Sequence, residues 1–480
     1  MSTTLTLDTA PTRHQPTTTL RQPGAILLLS CYELGHQPLS LAFPLAALRE
    51  RGFAPRAIDL AIDELPEDAL HAAGLVAISV PMHTALRLGV RLIDRIRTAR
   101  PHAHICFYGL YAALNADYLL AAGADSVIGG EFEGPLGDLA GALDTATTMA
   151  VPGITTATTT SAPFVGRHDF PVPDRADLPA LRDYAGFERD GVIVPAGYVE
   201  ATRGCHHTCA HCPITPVYGG RFVVVPREVV LADIAAQVEQ GARHITFGDP
   251  DFFNGPGHAM RIVHELHRRW PALTYDATIK IEHLLEHRRL LPELAETGCA
   301  FVVSAVESLN EDVLTHLRKG HTVASVATAI TALDEVGIPM RPSLLPFSPW
   351  ETLASYLDLL RFVATHAMAP NVDPVHYSIR LLIPPGSAVL DDHAAAPWLG
   401  SLDLEAFSYR WTHPDPRLDA LQPEVAAIAE RAATTTEPPE TTVATIWHAA
   451  HRAAGIEAPA IPAPASHRPR PPRLTESWFC

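Results

Sequence analysis

The sequence predicts an α/β chain in two parts. The first is an N-terminal doubly wound, flavodoxin-like parallel sheet. The second is a partial (β/α)6 barrel followed by a mostly helical C-terminal extension. Short apolar runs of strand length alternate with amphipathic helical stretches, as a parallel sheet covered on both faces requires. The alternation pauses in a Thr-, Pro- and Ala-rich stretch over 146–195 and restarts at Gly197. About six strand–helix units then follow, too few for a closed eight-unit barrel.

The first part is expected over 23–145, with strands at 25–31, 55–61, 75–81, 104–112 and 126–134. "PLSLAFPLAALRERG" has helical spacing and ends at Gly52. Sheets of this kind bind ligands beyond the carboxyl ends of their strands, near the switch in strand order. Those ends are polar or glycine-rich here: "CYELGHQP", "SVPMHT", "YGLYA" and "GGEFEG". No GxGxxG follows the first strand, so a dinucleotide fingerprint is absent. Residues 146–195 read as a linker or arm. The partial barrel is expected over 196–390, with strands at 244–253, 273–281, 301–308, 338–346 and 375–386 after a first one at "YVEAT". A helical extension follows over 391–457. Residues 1–22 read as a disordered tail, and 458–480 as a mobile Pro-rich tail ending in Cys480.

Net charge is −17, which argues against a general nucleic-acid or anionic-membrane surface. No apolar run approaches the ~20 residues of a membrane helix. The first residues lack the basic and apolar regions of a secretory signal. Seven irregularly spaced cysteines make no disulfide framework, so a cytoplasmic chain with reduced thiols is expected.

Three of those cysteines crowd into "RGCHHTCAHCP", as Cys205, Cys209 and Cys212. The C-x3-C-x2-C spacing admits several readings. A zinc ion would take a fourth ligand, which His206, His207 or His211 offers. Cys209 and Cys212 form a C-x-x-C pair of redox type. Three thiolates also suit three irons of a cubane cluster, leaving its fourth iron without a protein thiolate. Cys31, Cys106 and Cys299 lie in apolar runs and read as small core residues.

The loop follows the first strand of the partial barrel, where barrel enzymes place their chemistry. In that position "TRGCHHTCAHCP" resembles the radical S-adenosylmethionine superfamily, and the resemblance extends over about 197–390. It implies that Cys205, Cys209 and Cys212 hold a [4Fe–4S] cluster whose free iron binds S-adenosylmethionine. One-electron cleavage of the sulfonium would then yield a 5′-deoxyadenosyl radical. The resemblance assigns the methionyl amino group to "FGDPDFFN", through Asp249 or Asp251. Here "GDPD" stands where the family commonly has Gly-Gly-Glu. It assigns the ribose or methionine to Glu307 and Ser308 in "SAVESLNED". It also implies a small-molecule substrate and an electron donor such as a flavodoxin or ferredoxin.

The N-terminal part resembles the cobalamin-binding domains of one branch of that superfamily, through "CYELGHQPLSLAFPLAALRERGF" and "SVIGGEFEGPLGDLAGAL". The branch includes members that bind cobalamin and members that have lost it. The D-x-H-x-x-G of many cobalamin proteins is missing; His36 sits near that place without the aspartate. The resemblance assigns His36, Ser79, Gly109 and Gly130 to a corrin. It implies methylation of an unactivated carbon or phosphorus when cobalamin is present. Without cobalamin it implies hydrogen abstraction, rearrangement or aminocarboxypropyl transfer. The competing class is a non-radical zinc- or cluster-binding regulatory or ligand-binding protein. The terminal "RLTESWFC" is similar to a subfamily whose tail carries Cys-Cys or Cys-selenocysteine before Ala-Glu-Pro. That similarity implies a redox or soft-metal role for Cys480.

Overall fold

Five short strands, buried almost throughout, build the first sheet. They are β1 (Ile26–Ser30), β2 (Arg56–Asp59), β3 (Leu75–Ser79), β4 (His104–Tyr108) and β5 (Ser126–Ile128). The structure is a computed structural model that describes residues 19–147, 151–435, 437–463, 468 and 470–476. The five strands pair in parallel in the order β2-β1-β3-β4-β5, so the order reverses beside β1. Helices Leu39–Glu50 and Glu133–Asp144 cover one face. Cys31, Cys106 and Cys299 are buried, as their apolar runs predict.

The stretch 146–195, expected as a linker, is built into both sheets. β6 (Ile154–Thr156) adds antiparallel to β5. Phe164 bridges Gly130, where a Cβ would collide with the Phe164 carbonyl oxygen, so only glycine fits. β7 (Gly186–Arg189) forms a hairpin with β8 (Val192–Val199). In the chain between β6 and β7, Arg175 is buried. It binds Asp233 through Nε at 2.6 Å and Nη2 at 2.9 Å, and reaches Gln37 and the Tyr198 carbonyl. Composition alone reads as linker because these contacts are all long-range.

β8 opens the second sheet. A short antiparallel pair follows it, β9 (Thr202–Gly204) with β10 (Phe222–Val224). β11 (His244–Phe247), β12 (Thr274–Thr278), β13 (Cys299–Glu307) and β14 (Met340–Leu344) then pair in parallel with β8 in chain order. The expected sixth strand is reduced to one bridge, Arg380 with Phe347, preceded by the 3-10 turn Pro374–Tyr377. Pro384 and Pro385 supply no N–H to prolong it. The parallel part of this sheet is therefore a curled half-barrel of five strands with a bridging sixth position.

The C-terminal extension packs helices Pro416–Ala433 and Pro439–Ala454 onto the barrel core through Leu418, Val425 and Trp447. It also contains a hairpin, β15 (Leu399–Asp403) with β16 (Ser408–Trp411). Two terminal expectations are corrected. Thr19–Gln22, expected in a disordered tail, is held by Asp144, which accepts from Leu20 N and Arg21 Nε, and Leu20 is buried. Arg473–Leu474, expected in a mobile tail, is β17, antiparallel on β7. Beyond it Glu476 accepts from the Tyr32 hydroxyl at 2.6 Å. Residues 1–18 and Cys480 lie outside the described residues.

Replacing Arg175 with Ala leaves the Asp233 carboxylate buried without its cation. Breaking such a pair costs about 3–5 kcal/mol. Urea unfolding of Arg175→Ala is expected to show a loss of that size.

Candidate functional site

The three cysteines lie at the carboxyl-terminal mouth of the half-barrel. β8 ends at Val199, and β9 carries the chain into the loop. Gly204, with φ +79°, makes the entry: a Cβ there would strike the Tyr218 ring. The loop is pinned from several sides. Ala210 N donates to the Leu317 carbonyl, Thr215 Oγ1 to the Cys209 carbonyl, and His206 N to Asn254 Oδ1. All three cysteines are free thiols lining one cavity of about 110 Å3. Its opposite wall comes from the ends of β11, β12 and β13: Asp251, Thr278 and Glu307, with Lys280 and Lys319.

The sulfur spacing separates the metal readings. One zinc ion holds its ligands about 2.3 Å away, so its sulfurs crowd within roughly 4 Å of one another. Among the described residues, two sets have ligand atoms within 4.8 Å of one another: His207 with Asp251 and His283, and Glu131 with Glu133 and His168. The cysteine triad forms no such set. Wider spacing suits separate irons of one cluster. Burial pushes Cys205 up to about 12 and Cys212 up to about 11, so the loop alone carries thiols whose protons iron would displace. Lys319, itself buried, supplies a cation close to Cys209 and Cys212.

The expected partners of S-adenosylmethionine separate into two groups. Glu307 reaches the cavity, at φ +65°. Its Oε1 lies 3.2 Å from both Lys319 Nζ and His211 Nε2. Burial would raise its pKa, but the Lys319 ammonium and the hydrogen-bonded His211 ring outweigh burial and hold it well below the usual carboxylate range. Asp251 also reaches the cavity. Asp249 does not line it. Its carboxylate accepts from Ala201 N at 2.9 Å and Thr202 Oγ1 at 2.6 Å, and burial raises it to about 7. Ser308 is likewise turned away, donating to Glu351 Oε2 at 2.8 Å and capping the turn at Asn310. The sequence pattern could not tell which of two alternate residues faces inward.

A second cavity, about 150 Å3, lies between the two sheets' carboxyl ends. Ser79, Gly109 and Gly130 line it from the first domain, and Glu200, Arg203 and Pro250 from the barrel. Ile214 and Pro250 are common to both cavities. His36 is elsewhere: its ring stacks on Tyr198 at 4.3 Å, and burial lowers it to about 4. The lining suits a ligand fringed with amides, because Glu33, Ser79 and Glu200 offer acceptors and hydroxyls. The volume falls below the ~300–1,000 Å3 of small-molecule pockets, so a corrin needs the two faces to part.

Arg203, a residue the sequence pattern did not mark, closes this interface. Its guanidinium lies 2.7 Å from Glu133, 3.1 Å from Glu131 and 2.8 Å from Glu200. It also lies 4.5–5.1 Å from the ring centres of Phe43, Phe132 and Phe170. Burial opposes ionisation of Glu133, but Arg203 and His168 outweigh it and hold that carboxyl at about 2. The signal the sequence offers is the alternation of two glutamates in "GGEFEG".

The family model described as the radical SAM superfamily matches residues 199–363. That match covers about a third of the chain. Part of the chain is also similar to curated methylthiotransferases. One is the ribosomal protein uS12 methylthiotransferase RimO of Trichlorobacter lovleyi, 24% identical over 39% of this chain and 42% of the relative. Another is the tRNA-2-methylthio-N(6)-dimethylallyladenosine synthase of Alkalilimnicola ehrlichii, 26% identical over 35% of this chain and 40% of the relative. The chain thus matches about two fifths of these relatives' length. Two solved structures share the fold along most of the chain. The methyltransferase TsrM from Kitasatospora setae, solved with cobalamin and a [4Fe–4S] cluster bound, has TM-score 0.65 and 16% identity, covering 93% of each chain. OxsB, solved with aqua-cobalamin and S-adenosylmethionine bound, has TM-score 0.71 and 14% identity, covering 90% of this chain and 71% of that one. Among the described residues, no helix is long and apolar enough to cross a membrane.

Burial raises Glu33, which lines the interdomain cavity and caps helix Leu39–Glu50, to about 7, as it does Asp249. Both carboxyls bind their proton more tightly folded than unfolded. Between the ordinary carboxylate range and pH 7 the folded state therefore holds more protons, and stability falls as pH rises. Urea midpoints measured from pH 5 to 8 are expected to decline, with a shallower slope in Glu33→Gln.

Proposed function

We propose that the chain is a radical S-adenosylmethionine enzyme with Cys205, Cys209 and Cys212 as the ligands of a [4Fe–4S] cluster. We further propose that it transfers a methyl group to a small molecule with a cobalamin seated between its domains. The observation that carries the first part is the thiol triad lining one cavity at the mouth of the half-barrel, outside the sets whose ligand atoms lie within 4.8 Å of one another. The second part is supported by the interdomain cavity, which shares Ile214 and Pro250 with the cysteine cavity. It is also supported by likeness to TsrM and OxsB along nearly the whole chain.

When bound, the cluster and S-adenosylmethionine supply one-electron cleavage of the sulfonium, and cobalamin supplies a carrier for a methyl group. The chain's own residues hold and shield. Lys319 offsets thiolate charge beside Cys209 and Cys212. Glu307, kept ionised by Lys319 and His211, presents a carboxylate on the cavity wall where S-adenosylmethionine would lie. Ile214 and Pro250 form an apolar partition between the two cavities. A flavodoxin or ferredoxin would deliver the electron.

Anaerobic reconstitution with iron and sulfide is expected to give about four irons per chain and reductive release of methionine and 5′-deoxyadenosine. Cys205→Ala should abolish both. Stoichiometric zinc with no cleavage would instead favour a zinc-bearing regulatory protein. A second measurement tests cobalamin. After incubation with aquacobalamin and desalting, the protein should retain close to one equivalent, seen by its visible absorbance. Loss of all corrinoid would leave hydrogen abstraction or aminocarboxypropyl transfer as the chemistry.

A further inference from the structure

His207, Asp251 and His283 converge beside the cysteine loop from three separate elements. His207 lies inside the loop, Asp251 follows β11, and His283 stands on helix Ile281–Glu286 after β12. Asp251 Oδ2 lies 2.8 Å from His283 Nδ1 and 3.6 Å from His207 Nε2. The two histidines approach to 3.3 Å through their Nε2 atoms. One ligand atom from each residue can be chosen so that all lie within 4.8 Å of one another.

Two features go beyond a polar cluster. Asp251 and His283 side chains are only 2% and 9% exposed. Yet Asp251 Oδ2 and His283 Nδ1 make no aligned hydrogen bond, despite lying so close. The other carboxylate oxygen is already used, accepting from Phe253 N at 3.1 Å, which fixes the carboxylate's direction. A buried acceptor and a buried imidazole nitrogen that face each other without alignment cost free energy unless a further group satisfies both. A metal about 2.0–2.2 Å from each ligand sets neighbouring ligand atoms roughly 3–3.5 Å apart; Asp251 Oδ2 lies near that range from one nitrogen of each histidine, 2.8 Å from His283 Nδ1 and 3.6 Å from His207 Nε2.

The only other such set among the described residues, Glu131 with Glu133 and His168, already surrounds the Arg203 guanidinium. Among the described residues, no arginine is ion-paired with His207, Asp251 or His283. Lys280, the nearest ammonium on the same segment, is paired with Glu282.

We infer that His207, Asp251 and His283 form a mononuclear site for a divalent transition metal, independent of what the three thiolates hold. Two imidazoles and one carboxylate suit zinc, ferrous iron or cobalt rather than calcium or magnesium. His207 and Asp251 both line the cysteine cavity, so the remaining coordination positions open onto the space where substrate or S-adenosylmethionine would lie. Asp251 then serves as a metal ligand and is not an isolated carboxylate for a methionyl ammonium.

The test uses the full-length chain with Cys205, Cys209 and Cys212 all changed to Ala, titrated with cobalt(II) alone. One equivalent should bind and give visible ligand-field bands. Adding His283→Ala or Asp251→Asn should weaken binding at least tenfold. His207→Ala, at the more exposed ligand, serves where His283→Ala fails to fold. Ser at the same three positions serves if the Ala triple variant is unstable. No visible bands at millimolar cobalt in either protein, or binding unchanged by these substitutions, overturns the inference. That result would leave the cluster reading untouched, and failure to assemble a cluster would not affect cobalt binding.

Discussion

A buried cation among three carboxylates joins the two halves of this protein. Arg203 stands one residue before the glycine that opens the cysteine loop, and its charge is met by Glu131 and Glu133 from the first domain and Glu200 from the barrel. An isolated guanidinium at this depth would be untenable, and so would the carboxylates. Each domain therefore supplies what the other must have. The rings of Phe43, Phe132 and Phe170 close around the group and remove water that would screen it.

The position of this network orders the rest. It brings the carboxyl ends of two parallel sheets face to face, and those ends are where such sheets present ligand-binding loops. The cysteine loop thus faces the strand ends of the first domain across Ile214 and Pro250. Arg175 repeats the same logic lower in the interface, pairing Asp233 while reaching Gln37 of the first domain. Buried ion pairs contribute little net stability against apolar replacements, but they penalise every arrangement that separates the partners.

Most strands were readable because their apolar runs reflect burial on both faces, a local pattern with a tertiary cause. The cysteine triad was readable because its function demands close spacing in the chain. Other parts had no such local mark. Residues 146–195 carry strands of three and four residues, too short for periodicity, which exist only because β5 and β8 offer edges. The segment at 375–386 has strand-like composition, yet it makes a single bridge because prolines cut its hydrogen bonding. Asp249 and Asp251 are two residues apart and chemically alike. One is consumed by Ala201 and Thr202 while the other keeps an oxygen toward the cavity. His36 had the right address for a cofactor loop, but it stacks on a barrel tyrosine.

By itself the sequence determined the two α/β units, their order and the thiolate loop, because hydrophobic periodicity and ligand spacing are written along the chain. Only the tertiary structure decided which carboxylates face the cavity, that Arg203 locks the domains together, and that His207 meets Asp251 and His283. Those groups come from segments about 30 to 80 residues apart. Their meeting depends on strand order and loop direction, which side-chain type does not encode.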